Sequence, residues 1–321
     1  MQITVGTFNL NNLFSRYNFQ AEVELVRQGG TAVEADVRFT FVEPVGYRFR
    51  SYQGQLVHSK TPADRKQIAD RIRALHVDVL AVQEVEDIGV LRQFALEDLG
   101  GLYPYQVLVE GNDQRLIDVG LLSRFPIGAV TSWRFAVHPE EPRGYIFSRD
   151  LLEVEILEPR QRQRLLTVFN THLKSNYSRW GSTQEQQRIV TRRRRQAETI
   201  ASIVAARTRP DSSYLVTGDM NDGADAECLA AFRQAGWVNG LASPQETRPA
   251  KRESVAAHSP PHPAWTHRFK PRNQPPRFEL YDQIWLSPTL ANCQTAAWID
   301  RRTRHPGDGS DHDPAWVILD L

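Results

Sequence analysis

The chain has 321 residues, a formal net charge of +1 and an apolar fraction of 40%, as expected for a globular protein with room for one large domain. A chain this close to neutral is not a general polyanion binder, so attraction to nucleic acid would need local basic patches. Two cysteines exclude a disulfide framework. Without a signal-peptide pattern or an apolar run of ~20 residues, we expect a cytoplasmic protein with no transmembrane segment.

Strand and helix patterns alternate along the first part of the chain. Alternating apolar residues predict a strand over 3–8, and residues from about 15 to 60 read as an insert containing one or two hairpins. Thr61 and Pro62 predict the start of a helix, because threonine caps free amides and proline suits the first helical turn. An apolar strand is predicted next, over 77–82.

The same interleaved pattern continues to the end of the chain. Further strands are expected at 106–109, 119–123, 151–157, 165–169, 214–217, 284–286 and 315–319, with helices over 88–99 and 228–235. Ser182 and Glu185 form a capping box that opens a long helix to about residue 206. Residues 243–277, rich in proline, arginine and histidine, predict a long surface loop. The interleaving indicates one α/β domain over 1–321.

Oxygen-bearing side chains that suit a divalent metal occur just beyond the strands. Glu84 follows an apolar strand and is the best candidate ligand, because Mg²⁺ prefers oxygen and uses one or two protein carboxylates. Asp311 can reach the same ion. Asn9 can add an amide oxygen or hold Glu84 through a hydrogen bond. Considered by itself, Glu84 would be interpreted as a solvated turn carboxylate.

A second set of side chains supplies proton chemistry. His312 is the candidate base, since imidazole titrates near neutral pH, and Asp282 is the candidate carboxylate that orients it. Asn221 can donate to a phosphate oxygen, while Asp219 can position or deprotonate a water. The alternative interpretation is that Asp219 and Asn221 only supply local hydrogen bonds within a turn. His172 follows another apolar strand and can stabilise phosphate charge or protonate the leaving oxygen.

Seven segments, in this order, resemble the endonuclease/exonuclease/phosphatase superfamily, which includes DNase I-like nucleases, abasic-site endonucleases, inositol polyphosphate 5-phosphatases and neutral sphingomyelinases. They are TFNLNNLF at 7–14, QEV at 83–85, DVGLLSR at 118–124, NTHL at 170–173, GDMN at 218–221, YD at 281–282 and SDHDP at 310–314. The resemblance implies a four-layer α/β sandwich of the DNase I-like type. In that fold two mixed β-sheets pack face to face, with helices outside and the active site at one end.

The resemblance also implies roles for the metal and histidine residues. Glu84 would be the principal Mg²⁺ ligand, with Asn9 and Asp311 beside it and Mn²⁺ as an alternative cation. Asp282 and His312 would be the orienting carboxylate and its histidine.

For the phosphate, the resemblance assigns Asp219 and Asn221 to the attacking water and the scissile group. His172 matches the DNase I and sphingomyelinase branches and departs from the abasic-endonuclease pattern.

Four further residues are candidates for substrate binding. Asn170 and Lys174 flank the His172 position, and Arg115 and Asp118 belong to a stretch that resembles bacterial members of unassigned substrate.

Basic residues elsewhere have two interpretations. The run of arginines at 192–195 spreads around a helix, which favours a solvated, salt-bridged face over a nucleic-acid surface. The basic loop before Asp282 contains Trp265 and His267 and is expected to border the site. Basic residues mixed with aromatic ones suit binding of a phosphodiester backbone or a phosphoinositide headgroup. The alternative interpretation is that the charges only keep the loop soluble.

The sequence therefore predicts a metal-dependent phosphoesterase, favouring an endo- or exonuclease that hydrolyses nucleic-acid phosphodiesters by in-line attack of water. The alternative is a phosphatase or phospholipase C-like hydrolase of small-molecule, inositol or lipid phosphates. A binding member without activity is the third hypothesis, and no protein partner is inferred. Whether Asp219 or His312 takes the proton stays open, as do strand preference, endo or exo mode and the number of metals.

Overall fold

The computed structural model describes residues 1–14, 19–29, 32–41, 60–113, 115–177, 181–242, 245–247, 264–269, 275–301 and 309–321. The strands are β1 Gln2–Leu13, β2 Phe19–Gly29, β3 Ala32–Phe41, β4 Val79–Val85, β5 Tyr105–Leu108, β6 Asp118–Ser123, β7 Ile127–Ser132, β8 Leu151–Leu157, β9 Arg164–His172, β10 Tyr214–Asp219, β11 Val238–Asn239, β12 Gln245–Thr247, β13 His267–Phe269, β14 Arg277–Glu279, β15 Asp282–Leu286, β16 Gln294–Asp300 and β17 Ala315–Asp320. The α-helices are α1 Pro62–Leu75, α2 Ile88–Gln93, α3 Thr183–Arg207, α4 Ala230–Gln234 and α5 Pro288–Ala291.

Two mixed sheets form the centre of the molecule. One has seven strands in the order β12-β16-β17-β1-β4-β6-β5, and the other has six in the order β11-β15-β10-β9-β8-β7. Buried aliphatic side chains from both sheets meet in a common core, including Val5 and Val317 on one side and Val168 and Leu215 on the other. The α/β architecture predicted from the sequence is therefore confirmed.

Helices cover the outer face of each sheet. Ile68 and Ile72 of α1 pack on the seven-stranded sheet, and Ala197 and Ile200 of α3 pack on the six-stranded sheet. The result is four layers, helix, sheet, sheet and helix, in which each amphipathic element buries its apolar side. No helix within the described ranges combines the length and the apolarity that crossing a bilayer requires.

Local signals in the sequence correctly predicted where the two longer helices begin. The Thr61 side chain accepts a hydrogen bond from the Asp64 amide, and that of Ser182 accepts one from the Glu185 amide, so each cap satisfies an amide of the first turn. Helix α1 ends at His76, which adopts a left-handed conformation.

Several strands were not predicted. Strands β7, β11 and β16 lie in stretches where no strand was expected, at or near the edges of the two sheets. Within the predicted surface loop at 243–277, the described residues include β12, β13 and the start of β14, and residues 264–266 are buried, while 243–244, 248–263 and 270–274 lie outside the described residues. Of the predicted insert, β2 and β3 form the expected hairpin, while residues 42–59 lie outside the described residues. The helix predicted over 88–99 is α2 followed by a π-helical turn over Phe94–Asp98.

Candidate active site

Three neighbouring strands of the six-stranded sheet bring three predicted residues into one row. Asp219 at the end of β10 pairs with His172 on the parallel strand β9 and with Asp282 on the antiparallel strand β15. The preceding Gly218 makes this approach possible: its φ is 130°, and a Cβ atom there would lie 1.9 Å from the Thr171 carbonyl oxygen. Only glycine fits both the conformation and the space.

His312 completes the row from the other sheet, on the segment that leads into β17. Its Nδ1 lies 2.6 Å from Asp282 Oδ2, and a hydrogen bond from Ser310 Oγ to the Asn9 carbonyl holds the turn against β1. Burial would lower the pKa of His312. The negative charges of Asp282 and Asp219 and the hydrogen bond to Asp282 outweigh it and hold the pKa well above the ordinary value. These interactions favour the protonated form of His312, whose Nε2 is the ring nitrogen not bound to Asp282.

Asp219 lies at the centre of this cluster. Its Oδ1 accepts a hydrogen bond from the Asn221 amide at 2.9 Å, and its Oδ2 accepts one from Asn9 Nδ2 at 3.0 Å. The same Oδ2 lies 3.4 Å from His172 Nε2 and 3.8 Å from His312 Nε2. Burial raises the pKa of Asp219; the charge of His312 opposes this shift and that of Asp282 adds to it. A buried carboxylate with a raised pKa is a better proton acceptor than an exposed one.

Asn9 has a different neighbour from the one expected. Its Nδ2 holds Asp219 rather than Glu84, and its Oδ1 accepts a hydrogen bond from the Asn11 amide at 2.9 Å. Asn9 therefore positions the central carboxylate from the opposite sheet, and one lone pair of its amide oxygen accepts from the backbone.

Glu84 lies at an irregularity of the seven-stranded sheet. Its neighbours Gln83 and Val85 pair with both adjacent strands, but the register shifts between them, and Glu84 itself has a φ of 61°. A bulge of this kind turns a side chain out of the regular ladder. The Glu84 carboxylate then accepts a hydrogen bond from the Asn12 amide through Oε2 at 3.1 Å.

The charges around Glu84 fit a hard divalent cation. Burial raises the pKa of Glu84, His312 opposes the shift, and the negative charges of Asp311 and Asp219 add to it. The Asp311 carboxylate is half exposed beside it. Two carboxylates gathered at the mouth of a buried acidic cluster supply the oxygen ligands that Mg²⁺ prefers, and its charge would balance theirs.

His172 and Asn221 line the other side of Asp219. Burial and the nearby charge of Arg149 hold the pKa of His172 well below the ordinary value, so this histidine is neutral, and its Nδ1 has no hydrogen-bond partner among the described residues. Asn221 adopts a left-handed φ of 53°, and its Nδ2 donates to the Leu173 carbonyl at 3.1 Å. The turns that follow β9 and β10 are therefore bonded to each other.

The family model described as the endonuclease/exonuclease/phosphatase family matches residues 6–312. The chain belongs to this family. Its name covers enzymes that hydrolyse phosphate esters, and no curated protein matches the chain.

Solved structures with the same architecture cover nearly the whole chain. An endonuclease/exonuclease/phosphatase from Bacteroides vulgatus is 13% identical, with 100% of this chain and 99% of that one covered and a TM-score of 0.59. An AP endonuclease from Archaeoglobus fulgidus is 14% identical, with 99% and 100% covered and a TM-score of 0.57. TDP2 from D. rerio, complexed with a single-strand DNA product, is 14% identical, with 100% and 99% covered and a TM-score of 0.56. At these identities the likeness shows a shared DNase I-like fold.

Asn170, a candidate for substrate binding, lies in the interior of the protein. Its side chain is fully buried between the sheets, where Nδ2 donates to the carbonyl groups of Val82 and Gly120 and Oδ1 accepts from Gln83. Both amide hydrogens and the oxygen are engaged, so Asn170 clamps the two sheets together.

The other three predicted substrate residues lie near one another but differ in access. Asp118 is 3% exposed and accepts a hydrogen bond from the Gly111 amide, and burial raises its pKa to about 7. Arg115 is exposed and lies beside Asp113. Lys174 is half-buried, its amine donates to the Ser175 carbonyl at 3.0 Å, and burial and the charge of Arg149 lower its pKa.

Two residues that sequence reasoning missed lie beside the row of His172, Asp219, Asp282 and His312. Arg149 is 2% exposed, lies 3.0 Å from Asp113 and donates to the Leu173 carbonyl, and its charge acts on both Glu84 and Asp219. Nothing in the local sequence marks it. His267, noted only as part of the basic loop, lies 3.7 Å from Asp311.

The interpretation of the arginine run is confirmed for three of its four members. Partly exposed arginines on α3 pair with glutamates: Arg192 with Glu141, Arg194 with Glu198 and Glu140, and Arg195 with Glu140 and Glu141. Arg193 is the exception, being 1% exposed and bonded to Asp222. Trp265, expected beside the substrate, is buried under the Arg301 guanidinium instead.

Proposed function

We propose that this chain is a single-domain, metal-dependent phosphoesterase that hydrolyses nucleic-acid phosphodiesters by in-line attack of water. The observation that carries the proposal is the connected row of His172, Asp219, Asp282 and His312, with Glu84 at its open side. A proton acceptor, a cationic donor and a neutral imidazole around one oxygen-rich opening are what hydrolysis of a phosphate ester requires.

Asp219 is the proton acceptor in this proposal. Its Oδ2 faces two histidine nitrogens, and Asn9 and Asn221 fix the carboxylate from both sides. Because burial raises the pKa of Asp219, it takes a proton from a water more readily than an exposed aspartate. In this proposal Asp219 is the base, and His312 has another role.

His312 is the cationic donor. With Nδ1 bound to Asp282, its Nε2 hydrogen can reach a phosphoryl oxygen whose negative charge grows in the transition state. Neutral His172 and the side chain of Asn221 flank the same opening and can donate to the remaining phosphate oxygens or to the leaving oxygen. Mg²⁺, or Mn²⁺ in its place, held by Glu84 and Asp311, would polarise the phosphoryl oxygen and stabilise the leaving group.

A nucleic-acid substrate is supported by analogy with proteins of the same fold. An AP endonuclease and a TDP2 bound to a single-strand DNA product have this architecture over nearly their whole length. Arg149 and Arg115 add positive charge on the His172 side of the opening, where a phosphodiester backbone would pass. The two free cysteines agree with a cytoplasmic location.

A hydrolase of small, inositol or lipid phosphates is the second candidate. It is favoured by the pairing of Arg192, Arg194 and Arg195 with glutamates, because this removes one basic surface that a long polyanion could have used. An inactive binding protein is disfavoured by the intact hydrogen-bonded row.

The test is cleavage of supercoiled plasmid and of labelled single-stranded and double-stranded oligonucleotides with Mg²⁺, Mn²⁺ or EDTA. Asp219→Asn, purified identically, removes the proton acceptor. Asp225→Asn changes an exposed aspartate a few residues along the same loop and serves as the matched control.

Metal-dependent cutting that persists in Asp225→Asn and disappears in Asp219→Asn would support the nuclease and reveal its strand preference. If the wild-type protein cut nucleic acid no more than Asp219→Asn did under every condition, the nuclease proposal would be refuted. The same variants would then be assayed on small and lipid phosphates.

A further inference from the structure

A second group of metal-binding atoms lies at the edge of the catalytic row. His267 Nε2 is 3.7 Å from Asp311 Oδ2, and His312 Nε2 is 4.0 Å from Asp311 Oδ1. One ligand atom from each of the three residues can be chosen so that all lie within 4.8 Å of one another. Two imidazoles and a carboxylate thus converge on one point, separate from the carboxylate of Glu84.

The backbone holds these side chains together. An isolated antiparallel bridge pairs His267 with His312, and the Asp313 amide donates to the Thr266 carbonyl at 2.7 Å. On the far side, the Asp282 amide donates to Thr266 Oγ1 at 2.9 Å. The proximity of the two histidines therefore follows from chain pairing and does not depend on the rotamer of one long side chain.

Packing restricts the two rings as well. The His267 ring stacks on Tyr281, with centroids 4.8 Å apart and planes 13° apart, and its centroid is 4.7 Å from that of His312. His312 is tied through Nδ1 to Asp282. A metal-binding histidine commonly has such a carboxylate on its other nitrogen, because it orients the ring and makes the binding nitrogen more basic.

The donor set selects a different metal from that favoured by Glu84. Magnesium prefers oxygen ligands and water, whereas two imidazoles with one carboxylate form a three-ligand zinc site that keeps an open fourth position. In a tetrahedral zinc site, neighbouring ligand atoms are roughly 3.4 Å apart. The separations of 3.7 Å and 4.0 Å involve different oxygens of Asp311, and one atom from each residue lies within 4.8 Å of the others, so side-chain rotations of about an ångström would be needed to close the site around a cation.

We propose that His267, Asp311 and His312 form a binding site for a zinc-class cation, and that its occupancy inhibits the enzyme. The binding part stands by itself, and the inhibition rests on the proposed function. A cation held here occupies His312 Nε2, which then has no hydrogen to donate to phosphate. It also withdraws Asp311 from the magnesium site. The same residues would therefore serve either catalysis or zinc binding, according to which metal is present.

The binding experiment is calorimetric titration of the metal-free protein with Zn²⁺ alone. His267→Gln removes one ligand, and His267→Phe removes it while preserving an aromatic ring against Tyr281. His76→Asn removes an exposed histidine at the end of α1 and leaves a residue that tolerates its left-handed conformation, so it is the matched control. We expect one zinc per chain in the wild type and in His76→Asn. Zinc affinity should be weaker on the order of tenfold or more in both His267 variants.

Equal zinc affinity in the wild type and in a folded His267 variant would overturn the site, as would the absence of zinc binding to the wild type. Circular dichroism of each variant verifies the fold. Because no substrate is present, this result does not depend on whether the protein is a phosphoesterase.

The inhibition experiment measures hydrolysis of bis(p-nitrophenyl) phosphate at constant Mg²⁺ with increasing Zn²⁺, each variant being compared with its own zinc-free rate. We expect the wild type and His76→Asn to be inhibited at lower zinc concentrations than the His267 variants, by a factor similar to the change in binding. Zinc that binds without inhibiting would overturn the inhibition. If no variant hydrolyses any phosphate ester, the proposed function fails and the calorimetry alone decides the site.

Discussion

The two halves of the candidate site differ in how they are built. The half contributed by the six-stranded sheet, His172, Asp219 and Asp282, is at most 2% exposed and aligned by strand register. The half beside the seven-stranded sheet, Glu84 and Asp311, sits at a bulge and in a turn, and the Asp311 side chain is 54% exposed. Rigid, buried partners suit the transfer and positioning of protons. An exposed carboxylate such as that of Asp311 suits a cation that enters from solvent and keeps part of its water.

The difference has a structural cause. On the buried side, each polar group lies on a strand that is paired with its neighbours, so the sheet fixes the position of that group. On the open side, the register shift around Glu84 releases one residue from the ladder, which leaves its carboxylate available. We therefore expect substitutions on the buried side to lower kcat, and substitutions on the open side to weaken the dependence of the rate on metal.

The largest effect is expected from Asp219→Asn. Loss of the proton acceptor should lower kcat by about 10²- to 10⁴-fold at saturating Mg²⁺, the range associated with general acid–base groups. Steady-state kinetics on the best substrate would measure it, with Asp225→Asn as control. Recovery of the rate at high Mg²⁺ would contradict the division between the two halves, since it would make Asp219 chiefly a metal ligand.

Glu84→Gln should instead weaken the response to metal. We expect the Mg²⁺ concentration for half-maximal rate to rise tenfold or more, because an ionised oxygen ligand is replaced by a neutral one. Activity measured over a Mg²⁺ series tests this, with the exposed Glu97→Gln as control. An unchanged metal dependence with a reduced kcat would show that Glu84 belongs functionally with the buried half.

Asp118→Asn probes a buried carboxyl group outside both halves. The pKa of Asp118 is raised by burial from 3.8 to about 7, so the folded state holds its proton more tightly than the unfolded state. Its contribution to stability is then complete below pH 3.8 and is lost as the pH rises toward 7. Relative to the wild type, Asp118→Asn should gain about 1–3 kcal/mol of unfolding free energy over this window, as each pKa unit is worth ~1.4 kcal/mol.

Urea unfolding at several pH values measures this difference, and asparagine can still accept the hydrogen bond from Gly111. A stability difference that does not vary with pH would mean that Asp118 ionises normally. If Asp118→Asn lost activity while its stability stayed unchanged, Asp118 would be interpreted as a substrate-binding residue.

The smallest predicted difference in stability and activity is between substitutions of two adjacent arginines, Arg193 and Arg194. Arg193 donates to the Lys174 carbonyl at 2.9 Å and to Asp222 at 2.7 Å, which joins the loops after β9 and β10 behind the buried half. Arg193→Gln should cost about 1–2 kcal/mol of unfolding free energy and lower kcat. Arg194→Gln removes an exposed ion pair and should change stability by less than about 0.5 kcal/mol. If the two variants had equal effects on urea unfolding and on kcat, Arg193 and Arg194 would not differ in their structural role.

Much of the site was predictable because its signals are local. A capping side chain bonds an amide three residues away, and an apolar alternation followed by a polar residue marks the end of a strand. The positions of Glu84, Asp219 and His312 just beyond strands could therefore be read from the sequence. The hydrogen-bonded pair of His312 and Asp282 was also expected before its distance was known.

Other features depended on which strands lie side by side. Asn9 and Asp219 are 210 residues apart, and only the packing of the two sheets shows that Asn9 holds Asp219 rather than Glu84. Asn170 follows the expected motif, but strand register turns its side chain between the sheets.

By itself, the sequence determined the order of most strands and of the longer helices, their caps and the chemistry available at the strand ends, because each depends on residues close together in the chain. The tertiary structure decided which of these groups meet, which are buried, and that Arg149 and His267 join them. The physical reason is that burial and charge proximity set the pKa and the bonding of a side chain, and both arise from strand pairing and layer packing across the whole chain.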